Sequence, residues 1–149
     1  MSHTASVKSI QIVSIDALRE AVTELVGKGI RISLKEKATP RAYFTNQAGM
    51  GQADYVIELA DSKYDVGLYK TESGGYEART DFYMGSVEGV LGCPASSQDT
   101  VDQAKMGKLF SAYATHAAIE QARKKGHMVM RRTDETTGIT TLEITGPGL

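Results

Sequence analysis

The residues of this 149-residue chain with types and spacing suited to acid–base chemistry lie mainly in residues 53–83. Alternation along the strands expected there places three carboxylates, Asp65, Glu77 and Asp81, on one sheet face together with Arg79. Asp65 would then stand across from Glu77 or Arg79, and a carboxylate pair could share a proton or hold a cation. An aspartate–arginine surface pair explains the same residues without any function. The candidate binding set on this face, with one histidine added from a helix, is Asp65, Tyr69, Arg79, Asp81 and His116.

Histidine and cysteine give weaker signals. His116 precedes Glu120 by four residues on an expected helix, a spacing at which two side chains can share a metal ion. One such pair is little evidence, so we predict no metal site, no cofactor and no assigned catalytic residue. Cys93 lies in the run LGCPAS without a histidine beside it, and it is interpreted as an ordinary loop cysteine rather than an activated thiol.

A basic cluster suggests a different chemistry. Positive side chains beside exposed tyrosines could bind a single-stranded nucleic acid by charge and stacking. The favoured interpretation is simpler, because positive residues in the last turn of a helix interact well with the carbonyl end of its dipole. The cluster consists of Arg123, Lys124, Lys125, Arg131 and Arg132.

Composition narrows the class of protein. Seventeen basic residues face eighteen acidic ones, so the net charge of −1 provides no general attraction for nucleic acid or anionic membrane. The single cysteine allows no internal disulfide, the first residues lack a signal-peptide pattern, and no apolar run is long enough to span a membrane. We therefore expect one domain, residues 1–149, located in the cytoplasm without a membrane partner.

Residues 53–83 are also the clearest structural signal. Three runs rich in β-branched and aromatic residues are separated by turn sequences at 61–63 and 73–75, which predicts a three-stranded antiparallel meander. A last hairpin is predicted over 127–145, with its turn at 134–138. Residues 84–97 contain three glycines and a proline, and they are predicted to be an irregular loop.

Two helices are expected from apolar residues at three- and four-residue spacing. The first follows Ser14 or Asp16, either of which could cap it, and it ends at Gly27. The second covers 99–125, with an alternative start near Gly107, since glycine costs a helix about 1 kcal/mol relative to alanine. The prediction is an α+β fold: a largely antiparallel sheet, made of the central three-strand meander plus the C-terminal hairpin, with two helices packed on one face.

Several segments taken together resemble a known family. They are MSH, IDALREAV, ADYVIEL, YDVGLY, GGYEARTDFY and KLFSAYATHAAIEQARKKGH. In order and spacing they are similar to the uncharacterised family of hypothetical reading frame thirty-five of plastid genomes, which also occurs in cyanobacteria and some bacteriophages. Members carry tryptophan where this chain has Phe82 and phenylalanine where it has Thr4, so the resemblance implies a divergent, bacteriophage-encoded member, located in the host cytoplasm, or else a protein of a stroma-like compartment.

The resemblance implies no reaction, because the family has none established. Genes of the family are often found near genes for AAA-type ATPases, which implies an accessory or adaptor role with a protein partner. We therefore rank a protein-interaction module first, acting through the free sheet face, the segment 84–97, or a homo-oligomer paired along the edge of the last hairpin. A nucleic-acid-binding module ranks second. A small enzyme using carboxylates of the meander face ranks third.

Overall fold

The computed structural model describes residues 4–42, 51–93, 104–137 and 139–147. Seven strands and three α-helices have their bounds within these residues. In chain order they are β1 (Thr4–Ile12), α1 (Ile15–Gly27), β2 (Ile32–Ala38), β3 (Ala53–Leu59), β4 (Val66–Lys70), β5 (Tyr76–Asp81), α2 (Ser86–Leu91), α3 (Gly107–Lys124), β6 (Met128–Thr133) and β7 (Thr140–Thr145).

The predicted α+β class and its antiparallel meander are confirmed. Strands β3, β4 and β5 pair in sequence, and they form the centre of a five-stranded antiparallel sheet with the order β1-β5-β4-β3-β2. The C-terminal hairpin is also present, but β6 and β7 form a second, two-stranded sheet rather than an extension of the first. In the part of the chain that is described, the hairpin therefore contacts the rest of the domain through side chains and not through backbone hydrogen bonds between strands.

The main core lies between one face of the large sheet and the helices. Alternate residues of β3, β4 and β5 are buried against apolar residues of α1 and α3, as expected for an antiparallel sheet covered on one side. The largest fully buried side chains in this layer are Ile12, Leu18, Ile57, Leu59, Leu68, Leu91, Met106 and Leu109.

The turn from β1 into α1 is fastened to α3. Ser14 is the N-cap of α1, and its Oγ accepts a hydrogen bond from the backbone N–H of Ala17 at 3.1 Å. The same hydroxyl donates to Glu120 Oε2 at 2.8 Å. The hydroxyl oxygen of Tyr113 accepts from the backbone N–H groups of Val13 and Ser14 at 2.8 and 3.0 Å. These bonds set the position of α1 relative to α3.

The prediction of an irregular loop over 84–97 is wrong for its central part, which forms the helix α2. Val87 and Leu91, four residues apart, are both fully buried, and this burial outweighs the low helix propensity of the glycines around them. Residues 94–97 lie outside the described residues. The second predicted helix begins at Gly107, its alternative start. Its first predicted start, residue 99, is outside the described part of the chain.

Candidate functional site

Asp65 is fully engaged in a structural ion pair with Arg41. Its side chain is only 2% exposed, and its carboxylate accepts from Arg41 Nη2 at 2.7 Å, Nε at 3.0 Å and backbone N–H at 2.9 Å. The backbone N–H of Leu59 donates to it as well, at 3.1 Å. The residues across from Glu77 and Arg79 on β4 are Tyr69 and Gly67, so Asp65 does not face either of them. The Asp65 carboxylate therefore anchors the chain before β3 to the start of β4.

Tyr69 and Arg79 do lie together on the sheet face, as the alternation predicts. The guanidinium carbon of Arg79 is 4.6 Å from the centre of the Tyr69 ring, a cation–π contact. Arg79 also donates to Glu77 Oε2 from Nε at 3.1 Å and from Nη2 at 3.0 Å. The Tyr69 hydroxyl donates to the carbonyl of Gly51 at 3.1 Å. Burial raises the pKa of Tyr69, and the Arg79 charge partly opposes this rise.

This sheet face is partly covered by residues that precede β3. A Cβ atom added to Gly67 would lie 2.8 Å from Tyr69 Cε1 and 3.0 Å from Pro40 Cγ, so the glycine allows both rings to approach the sheet. Val56, on the same face, is buried beside Gly67. The part of the face around Gly67 is therefore packed. This cover was not predicted, because Pro40 and Arg41 lie outside the strongly periodic runs of the sequence.

The two remaining candidates are separated from each other. Asp81 is 1% exposed and ends β5, where it pairs with Thr4 of the edge strand β1. His116 belongs to α3, in the helix layer on the opposite side of the sheet. The structure brings Asp65, Tyr69, Arg79 and Asp81 to one face and leaves His116 out of that group.

His116 instead joins a charged cluster centred on Glu24 of α1. The Glu24 carboxylate accepts hydrogen bonds from Nη1 and Nη2 of Arg131, the latter at 3.1 Å. It also accepts from Lys28 Nζ at 3.1 Å. His116 Nε2 lies 2.9 Å from Glu24 Oε1. The Arg131 hydrogen bonds lower the pKa of Glu24 from 4.5 to about 2; burial opposes the shift, and Lys28 and His116 add to it. This cluster ties α1, α3 and β6 together. Sequence reasoning missed it, because Glu24 and Arg131 are 107 residues apart.

The basic cluster is largely neutralised by neighbouring carboxylates. Arg131 is paired with Glu24, Arg132 lies 3.4 Å from Glu143, and Lys124 lies 3.3 Å from Glu120. The other two members, at the exposed end of α3, are Arg123 and Lys125.

The described residues form no group of three or more His, Cys, Asp or Glu side chains that could hold a metal ion. In the spaced pair of the sequence, each partner is already bonded elsewhere: His116 to Glu24, and Glu120 to Ser14 and Lys124. No helix in the described segments is long and apolar enough to cross a membrane.

The hairpin carries the most conspicuous apolar surface. Met128 and Met130 are 75% and 56% exposed, and both lie on the face of the hairpin opposite to Arg131. Ile139, just before β7, is exposed too. Over the described residues β6 and β7 pair only with each other, so each strand leaves one edge with unpaired backbone groups. Such a surface favours contact with another protein.

Comparison with known proteins finds a matching family but no activity. A family model described as Protein of unknown function (DUF1257) matches residues 28–143, from the end of α1 into β7. No curated protein and no solved structure matches the chain.

Proposed function

Because the chain belongs to the DUF1257 family, whose function is unknown, we propose from its own surface that it is a protein-interaction module. It binds its partner through the outer face and edges of the β6–β7 hairpin. This extends the interaction hypothesis made from the sequence, which offered the free sheet face, the segment 84–97 or self-pairing at the hairpin edge. The proposed contact surface for the partner is now the C-terminal hairpin.

The exposure of Met128 and Met130 is the observation that carries the proposal. A two-stranded hairpin is marginally stable on its own in water, and here two flexible apolar side chains face solvent on its outer side. Methionine adapts its shape to an irregular partner surface, which suits a contact that must accommodate another protein. The unpaired edges add a second mode of contact, in which an extended partner segment hydrogen-bonds as a third strand.

An AAA-type ATPase is the partner class that we propose, and the cytoplasm is the proposed compartment. The partner class rests on the resemblance to the plastid reading-frame family and on the gene neighbourhood of that family, which is an argument by association. The same resemblance supports a divergent, bacteriophage-encoded origin. The compartment rests on the single cysteine.

Two other functions rank below this one. Single-strand binding through the basic cluster is weakened by the ion pairs of Lys124, Arg131 and Arg132, which reduce the charge available to phosphates. An enzyme acting through the meander-face carboxylates is weakened by the burial of Asp65 and its pairing with Arg41.

The test is recovery of tagged protein from its native cells with whatever binds it, comparing three variants at moderate salt. We expect a protein partner in near-equal amount with the unaltered chain and none with the double variant Met128→Glu/Met130→Glu. Val13→Glu is the control, because Val13 is an apolar residue that is 65% exposed and lies outside the meander face, the segment 84–97 and the hairpin. Thermal melts check that all three variants fold. A partner retained by the double variant, or nucleic acid that leaves at high salt in place of a protein, would overturn the proposal.

A further inference from the structure

A cleft with a volume of about 480 Å³ lies between the hairpin and the two long helices. Its walls come from the end of α1, the first half of α3, and Arg131, Thr133 and Thr140 of the hairpin. These three residues share the hairpin face that looks away from Met128 and Met130. The cleft is therefore a different surface from the one proposed above to hold the partner.

The cleft has an excess of positive charge. Among the described lining residues, the cations of Lys28, Lys108 and Arg131 stand against one carboxylate, that of Glu24. That carboxylate already accepts hydrogen bonds from both Arg131 and Lys28, so it has little capacity left to balance another cation. The chain as a whole carries a net charge of −1, so this local excess runs against the overall balance. A site with surplus cations attracts an anionic ligand.

The other lining groups suit carboxylates attached to a chain. The hydroxyl of Ser111 lines the cleft and can donate a hydrogen bond to a carboxylate oxygen. Thr133 and Thr140 share one hydrogen bond between their hydroxyls, which leaves one of the two protons for a ligand. Apolar surface from Ile30, which is only partly buried, can contact the methylene groups between a carboxylate and its backbone. Donors and cations spread over the end of α1, the start of α3 and the hairpin match several acidic side chains better than one compact ion.

We propose that this cleft binds an acidic peptide segment of the partner protein, with its carboxylates at Lys28 and Lys108. The inference rests on the proposed function and names a chemical feature of the partner. The hairpin's outer face then supplies apolar contact, and the cleft on its inner side selects for negative charge.

Cys93 provides a reporter inside the cleft. It is the single cysteine of the chain, it is exposed, and it contributes to the cleft lining. We would measure the rate at which iodoacetamide alkylates Cys93 in the full chain, with and without a hexaglutamate peptide at low salt. Affinity for the same peptide, labelled with fluorescein, comes from fluorescence anisotropy. A hexaglutamine peptide is the uncharged control.

We expect hexaglutamate to bind and to slow alkylation of Cys93, while hexaglutamine does neither. Lys108→Glu should weaken hexaglutamate binding by about threefold to tenfold, since reversing one exposed charge removes an attraction and adds a repulsion. Lys70→Glu, an equal change at the exposed last residue of β4, should leave binding within about a factor of two. Equal weakening by both variants would overturn the proposal. So would peptide binding that leaves Cys93 unprotected, or equal protection by inorganic phosphate, which would indicate a small-anion site.

The double variant Met128→Glu/Met130→Glu separates this inference from the proposed function. A partner that depends on the methionines, together with no hexaglutamate binding, refutes the acidic cleft alone. Hexaglutamate binding with a partner that ignores the methionines refutes the hairpin surface alone.

Discussion

Replacing Asp65 by asparagine tests whether the Arg41–Asp65 pair holds the fold together. The carboxylate accepts four hydrogen bonds, three from Arg41 and one from Leu59, in a site that is almost closed to solvent. Asparagine keeps the shape but removes the charge. Whichever way its amide turns, the NH₂ group meets two donors, so two of the four bonds are lost.

The magnitude follows from the burial of one partner. Breaking a buried ion pair costs about 3–5 kcal/mol. Because Arg41 is half exposed, we expect the low end of this range, a loss of about 3 kcal/mol in the free energy of unfolding. For a domain of this size that corresponds to a fall in melting temperature of about 6–12 °C.

The assay is urea unfolding followed by circular dichroism, with thermal melts alongside. Asp61→Asn is the matched control, because Asp61 pairs with Arg31 through a similar two-point contact on the surface, where the side chains are 51% and 70% exposed. That change should lower the free energy of unfolding far less than Asp65→Asn does, because solvent screens an exposed ion pair. Equal losses in the two variants would refute the reasoning, since they would mean that burial adds nothing to the Asp65 pair.

Three further changes probe close contacts. Because the pKa of Glu24 is about 2 when folded and 4.5 otherwise, its stabilisation is present above about pH 4.5 and lost towards pH 2. The stability gap between wild type and Glu24→Gln should therefore shrink by about 3 kcal/mol between about pH 5 and pH 2, and a constant gap would contradict this. Gly67→Ala should cost about 1–3 kcal/mol in urea unfolding, because its Cβ displaces the Tyr69 ring; an unchanged midpoint would show that the ring moves freely. Gly107→Ala puts a Cβ against Cys93 Sγ, so its gain in helix propensity, smaller at this first helical residue than the roughly 1 kcal/mol of a helix interior, should appear only together with Cys93→Ala. Additive effects of the two changes would argue against that contact.

The parts of this fold that could be predicted are those with a local period. The meander and the hairpin follow from alternation and turn residues, and α1 follows from its apolar spacing and the Ser14 cap. Local composition misled the prediction for α2, where glycines suggested a loop while Val87 and Leu91 were filling the core.

The charged clusters could not be predicted, because their partners are distant in sequence. Arg41 and Asp65 are 24 residues apart, and Glu24 and Arg131 are 107 residues apart. Nothing in a single sequence marks which arginine meets which carboxylate. Alternation did place Tyr69 and Arg79 on one face, since a two-residue period fixes the face even where the register is unknown. The packing of Pro40 against that face depended on a loop without any period.

The position of β1 at the edge of the sheet has a consequence for how the chain is made. Strands β2, β3 and β4 each form hydrogen bonds with the strand that follows them in the chain. The partners of β1, on β5, lie more than 60 residues later in the chain. During synthesis β1 leaves the ribosome well before β5, the strand with which it pairs. The cost of closing that long loop predicts that β1 docks onto the sheet late in folding.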